Sequence, residues 1–123
     1  MSTAGQLSTA AARSAAAVVS RFNFAWAAHD LAAALALISD DCVFESTSPP
    51  DGERSTGPEA IAAAWQPIFD DPASRFTVEE TIEAGQYVVQ LWRYDFPGGH
   101  VRGVDVFAVA DELITKKLAY VKG

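Results

Sequence analysis

The sequence predicts an α+β fold in which helices pack on one face of an antiparallel sheet, and two observations carry that reading. As far as Phe69 the apolar residues mostly recur at helical spacings of three and four, whereas after Pro72 they lie in extended runs separated by short turns. Consecutive strands with tight connections form a meander, and helices that precede such a sheet cover one side of it.

From Ser8 to Ala28, the residues Ala11, Ala15, Val18, Phe22, Ala25, Trp26 and His29 make one face of an amphipathic helix. A shorter helix begins at Asp30, a good N-cap, and carries Leu31, Leu35 and Ile38 until Asp40-Asp41 breaks the pattern, so the two helices form a hairpin. Asp41 to Ser46 reads as a strand, and Ser48-Pro49-Pro50-Asp51-Gly52 as a loop of turn formers. Pro58 at a first helical position, followed by Glu59, announces a third helix with Ile61, Trp65, Ile68 and Phe69, ending before Asp70-Asp71-Pro72. The later strands run Arg75 to Ile82, Gln86 to Phe96, His100 to Ala110 and Leu113 to Val121, with Pro97-Gly98-Gly99 as one connecting turn. No internal repeat or linker interrupts this order, so residues 1–123 read as a single domain with residues 1–7 flexible.

Composition narrows the function classes. Half of the 123 residues are apolar and a fifth are charged, the profile of a globular chain. A formal charge of -7 repels phosphate backbones and anionic bilayers, which argues against nucleic acid or a membrane as partner. The N-terminus lacks both a basic start and a strongly apolar run, so no signal peptide or membrane span is expected. Cys42, the single cysteine, sits in the apolar stretch Cys42-Val43-Phe44 and reads as a buried thiol, in keeping with a cytoplasmic protein.

Four pieces in this order carry a resemblance: Leu37-Ile38-Ser39-Asp40-Asp41-Cys42-Val43-Phe44-Glu45, Gly57-Pro58-Glu59-Ala60-Ile61, Arg102-Gly103-Val104-Asp105-Val106-Phe107, and a last strand with Ile114 and Ala119-Tyr120. From about Val18 onward the chain resembles the nuclear transport factor 2-like superfamily, and within it the SnoaL-like proteins that include polyketide cyclases. The resemblance implies a cone-shaped, strongly curved sheet wrapped around a long N-terminal helix, the ketosteroid isomerase-like, or cystatin-like, α+β barrel. It also implies an apolar pocket for a small apolar or aromatic molecule, no cofactor, and a homodimer formed through the outer face of the sheet. Members include both enzymes and noncatalytic binding proteins, so the fold alone does not select a reaction.

Asp105 is the sharpest candidate for catalysis, because it interrupts an otherwise nearly apolar run from Val101 to Val109. Strand alternation gives it the same face as Phe107 and Val109. On an inner face the carboxylate suits a general acid, a general base or a ligand anchor; the alternatives are pairing with Arg102 or Arg93, or a place in a dimer interface. The resemblance to ketosteroid isomerase matches Asp105 to that enzyme's oxyanion-hole aspartate, but Ser46 to its general base and Phe22 to its oxyanion tyrosine. A serine without a base and a phenylalanine cannot perform those roles, which argues against steroid isomerisation.

Arg93-Tyr94-Asp95 is similar to the Arg-x-Asp pair of limonene epoxide hydrolase, whose third member aligns with Ala119. Alternation of Trp92, Tyr94 and Phe96 instead suggests that the aromatics point inward, leaving two opposite orientations open. Phe22, Trp26, Phe44, Trp65, Trp92 and Tyr94, with Ser46, Asp105 and Phe107, are the expected pocket residues, each also acceptable as plain core. His29 and His100 fall at a helix junction and a hairpin, where caps and turns are the usual roles. No spacing of His, Cys or acidic residues fits a metal, and neither a phosphate-binding glycine loop nor a nucleophile elbow is present.

Overall fold

The computed structural model describes residues 13–123. The expected helix start at Ser8, its face residue Ala11 and the flexible residues 1–7 lie outside them. The first described helix, α1 (Ala15–Ala27), starts at Ser14, whose hydroxyl accepts the Ala17 N–H at 3.1 Å. Ala15, Val18, Val19, Phe22 and Ala25 form its buried stripe. The helix closes in a Schellman arrangement, in which Asp30 N–H donates to the Ala25 carbonyl and His29 N–H to that of Trp26. His29 takes the left-handed φ of 55° that this motif requires. Asp30 then caps α2 (Leu31–Leu35) by accepting from Ala33 N–H at 3.0 Å, as its sequence position suggests.

Ile38 corrects one expectation. It does not continue α2 but opens strand β1 (Ile38–Glu45), where it pairs with Ile114. Its side chain is buried in either setting, so the apolar pattern could not tell a last helical turn from a first strand residue. A short strand, β2 (Arg54–Thr56), follows and has no sequence signature. Helix α3 (Pro58–Phe69) begins with Pro58 as expected and buries Ile61, Trp65 and Phe69. The meander then runs through β3 (Arg75–Ala84), β4 (Tyr87–Phe96), β5 (Gly99–Ala110) and β6 (Leu113–Val121), each antiparallel to the next.

The strands form one six-stranded sheet in the order β2-β1-β6-β5-β4-β3. The sheet is mixed rather than wholly antiparallel, because β1 lies parallel to β6. The helical hairpin before β1 and the long connection after it allow a parallel neighbour, which a hairpin turn cannot make. Register shifts in β1, in β3 between Val78 and Glu80, and at the β5–β6 pair bend the sheet around α1. Helix α1 crosses the concave face and touches β3, β4, β5 and β6, while α3 closes one side against β1 and β2.

The core sits between α1, α3 and the concave face. Trp65 is fully buried, edge-on to Phe22 at 5.4 Å and to Phe44 at 5.6 Å between ring centroids. Phe107 is buried against Phe22 at 5.8 Å. Removing an aromatic side chain from such a setting costs about 3–5 kcal/mol, so these rings hold the layers together.

Candidate functional site

Inside the cone, a cavity of about 250 Å³ remains between α1 and the concave face. Strand pairing determines what faces it. Asp105 lies opposite Gln90 of β4 and Ala119 of β6, and Gly103 opposite Trp92 and Val121. The Trp92 ring lies where a Gly103 side chain would be, since a Cβ at this position would collide with the indole and with the Tyr120 carbonyl. Glycine here lets the Trp92 indole approach the β5 backbone closely, two residues from the carboxylate.

Of the residues expected around a pocket, Phe22, Trp26, Phe44, Ser46, Trp92, Tyr94 and Asp105 line this cavity. Trp65 and Phe107 do not: they lie behind the wall, 0% and 1% exposed, and support Phe22 and Phe44 from the core side. The alternation question resolves in favour of the aromatics. Trp92 and Tyr94 face the cavity, whereas Arg93 pairs with Asp95 at 3.0 Å on the outer face. An Arg-x-Asp site of the epoxide hydrolase type would therefore point away from the cavity.

Asp105 faces inward and is paired, but not with Arg93 or Arg102. Arg102 holds Glu79 on the outer face at 2.9 Å. The Asp105 partner is Lys117, whose Nζ lies 3.3 Å from Oδ2; the two side chains are only 14% and 9% exposed. The other carboxylate oxygen, Oδ1, is buried with no hydrogen-bond partner among the described residues. Three aromatic faces surround the Lys117 ammonium: Trp26 at 5.0 Å, Phe44 at 5.1 Å and Phe107 at 5.8 Å. The negative ring faces replace part of the water that a buried ammonium loses.

Lys117 escaped the sequence reading because of one extra residue. Counting by twos from buried Ile114 points Lys116 inward and Lys117 outward. In the structure Ala108 pairs with Lys116 but Val109 with Ile114, so β6 bulges at Thr115, whose hydroxyl donates to the Ala108 carbonyl at 3.3 Å. The bulge reverses the phase and turns Lys117 inward opposite Phe107.

Two buried donors, Trp92 Nε1 on the cavity wall and Trp65 Nε1 behind it, also have no hydrogen-bond partner among the described residues, whereas Gln90, Ser46 and His29 are paired. Gln90, 5% exposed, accepts from the Asn23 amide at 2.9 Å and donates to Thr81 at 3.1 Å. The Ser46 hydroxyl donates to Ser48 at 3.3 Å and accepts from Glu53 N–H at 2.9 Å, tying the 46–53 loop at the cavity rim. His29 places its ring nitrogens 3.0 Å from the Phe69 carbonyl and 3.3 Å from that of Ser74, pinning the α1–α2 corner to the α3–β3 connection. His100 is exposed in the β4–β5 hairpin. Cys42 is fully buried, and burial, reinforced by Asp41 and opposed by Lys117, pushes its thiol up to about 11. Among the described residues no three His, Cys, Asp or Glu side chains gather to hold a metal, and no helix is long and apolar enough to cross a membrane.

A curved, mixed six-stranded sheet wrapped around a helix is the architecture of the nuclear transport factor 2-like class. Residues 19–117 match the family model of the SnoaL-like domain, and the chain belongs to that family. It is similar to a structure of an NTF2-like protein of unknown function from Mesorhizobium loti, with 41% identity, 89% of this chain and 91% of that chain covered, and a TM-score of 0.81. A computationally designed 17-OHP binder is 29% identical over 88% of this chain and 90% of its own, at a TM-score of 0.75. A steroid delta-isomerase from Pseudomonas aeruginosa shares the fold at a TM-score of 0.72, with 19% identity and coverage of 89% and 80%. No curated protein matches the sequence.

Proposed function

We propose that the cavity takes one small, flat, apolar or polycyclic molecule, and that Asp105 acts on it as the acid–base group of a cofactor-independent isomerase- or cyclase-like reaction. The observation that carries this reading is a carboxylate–ammonium pair set into a largely apolar wall to which Phe22, Trp26, Phe44, Phe76, Trp92 and Tyr94 contribute rings. A carboxylate in such a site can remove a proton next to a carbonyl, and an adjacent ammonium can stabilise the oxyanion that develops. The similarity to a designed 17-OHP binder supports a cavity of this shape as a site for small molecules. The test is exchange of the α-protons of 2-tetralone in deuterated buffer, followed by NMR. Wild-type protein should accelerate exchange and Asp105→Asn should lose about a hundredfold of that rate; exchange no faster than in buffer alone sinks the catalytic reading.

A noncatalytic binding or assembly module is the second reading, and the state of Ser46 favours it. Its hydroxyl is committed to the loop, and Phe22 and Ala119 add no proton carrier. A thermal-shift ligand screen on wild type and Asp105→Asn separates the two, because a role for Asp105 fails if the variant binds the same ligands equally well. The proposal extends to a homodimer through the outer sheet face, where Leu91, Val104 and half-exposed Tyr120 lie together. A light-scattering mass of one chain would contradict it. A cytoplasmic setting is supported by a lone buried thiol that has no disulfide to form within the chain.

A further inference from the structure

We propose that Lys117 is a covalent carbonyl-binding site, whose amine condenses with an apolar aldehyde or unhindered ketone seated in the cavity while Asp105 moves the protons. The inference rests on the cavity being a small-molecule site and adds a ligand class to it. Among the residues that line the cavity, Lys117 is the one nitrogen nucleophile of its kind and Asp105 the one carboxylate. They lie 3.3 Å apart, within reach of a direct proton transfer. Transfer of one proton from the ammonium to Asp105 frees the amine lone pair for attack and leaves the carboxylic acid beside it as the proton donor.

The chemistry closes on the groups present. The amine lone pair attacks the carbonyl carbon, forming the C–N bond as the C=O π pair moves onto oxygen, and a proton passes from the nitrogen to that oxygen to give a carbinolamine. The Asp105 acid then protonates the departing hydroxyl as the C–O bond breaks, releasing water and leaving an iminium. In sum, an ammonium and a carbonyl compound become an iminium and water, with no oxidant, reductant or further reactant. The product carries the same single positive charge at the same atom. The aromatic faces of Trp26, Phe44 and Phe107 and the Asp105 carboxylate therefore hold the iminium as they hold the ammonium. Low exposure of both side chains restricts the water that would reverse the condensation.

Lys116 and Lys122, the other two lysines of the chain, are both exposed and serve as internal references. The protein is incubated with 2-naphthaldehyde and cyanoborohydride, which reduces an iminium to a stable secondary amine, and the labelled lysine is located by peptide mass mapping. Labelling at Lys117 is expected to be at least about tenfold faster than at either reference lysine, and to slow by about a hundredfold in Asp105→Asn, with recovery in Asp105→Glu. Equal labelling of the three lysines, or a Lys117 rate indifferent to Asp105→Asn, overturns the inference. Naphthalene, which has no carbonyl, reports on the cavity itself through quenching of tryptophan fluorescence. If naphthalene binds while Lys117 remains unlabelled, the covalent inference alone fails; if naphthalene does not bind, the reading of the cavity fails with it.

Discussion

The two faces of the sheet carry ion pairs of similar geometry in opposite media. On the outer face Arg93–Asp95 and Arg102–Glu79 are close, at 3.0 and 2.9 Å, with side chains 32–49% exposed. On the inner face Asp105–Lys117 is longer, at 3.3 Å, yet almost dry. Distance would rank the outer pairs as stronger, but the medium reverses the order of consequences. Water and salt screen the outer pairs, which contribute about 0–1 kcal/mol each. Breaking the inner pair by removing one partner leaves a buried charge alone, at about 3–5 kcal/mol. The inner pair is therefore weak evidence for stability and stronger evidence for a site, because apolar residues of the same shape would fold as well.

The sharpest way to break this comparison is Lys117→Ala, expected to destabilise by about 3–5 kcal/mol in urea unfolding. The double variant Asp105→Leu with Lys117→Met should recover most of that loss while abolishing any activity. A double variant as unstable as the single one would mean that the pair itself holds the fold. Next in size is the buried Cys42 thiol, whose pKa is pushed by burial from the ordinary 9.0 up to about 11. Folding favours the protonated form, so this stability is present below the unfolded value and is lost as pH rises from 9.0 towards 11, by about 2–3 kcal/mol. Cys42→Ser or Cys42→Ala should remove that slope from a stability–pH profile.

Gly103→Ala tests the aromatic wall of the inner face: a Cβ there meets Trp92 and the β6 backbone, and the melting midpoint should fall by the equivalent of about 1–3 kcal/mol. Arg93→Ala marks the outer limit, with an expected loss below about 1 kcal/mol that shrinks further in high salt. If Arg93→Ala proved as damaging as Lys117→Ala, the contrast between the faces would collapse.

The candidate site was legible in part. Asp105 stood out because a charge in an apolar strand is visible without a structure, and Phe22, Trp26, Phe44, Trp92 and Tyr94 because wide side chains at helix or strand period converge on an interior. Trp65 and Phe107 share the inward faces but lie one layer behind the cavity wall, since periodicity tells which face is buried but not how deep a residue sits. Arg102 on the same strand and Arg93 on the adjacent one are the alternative partners that sequence offers Asp105, but its partner is Lys117 of β6.

What the amino-acid sequence determined by itself was the class of fold. Helical and strand periods, the Asp30 and Pro58 start signals and the turns between strands are local, and local physics expresses them wherever the segments end up. The parallel β1–β6 pair, the end of α2 before Ile38 and the inward turn of Lys117 arise only once the strands assemble. The first two depend on the register of β1 against β6, strands distant in sequence, and the third on a bulge in the β5–β6 hairpin. A single extra residue at Thr115 moves a lysine from solvent to the side of Asp105, and nothing in the composition of β6 announces it.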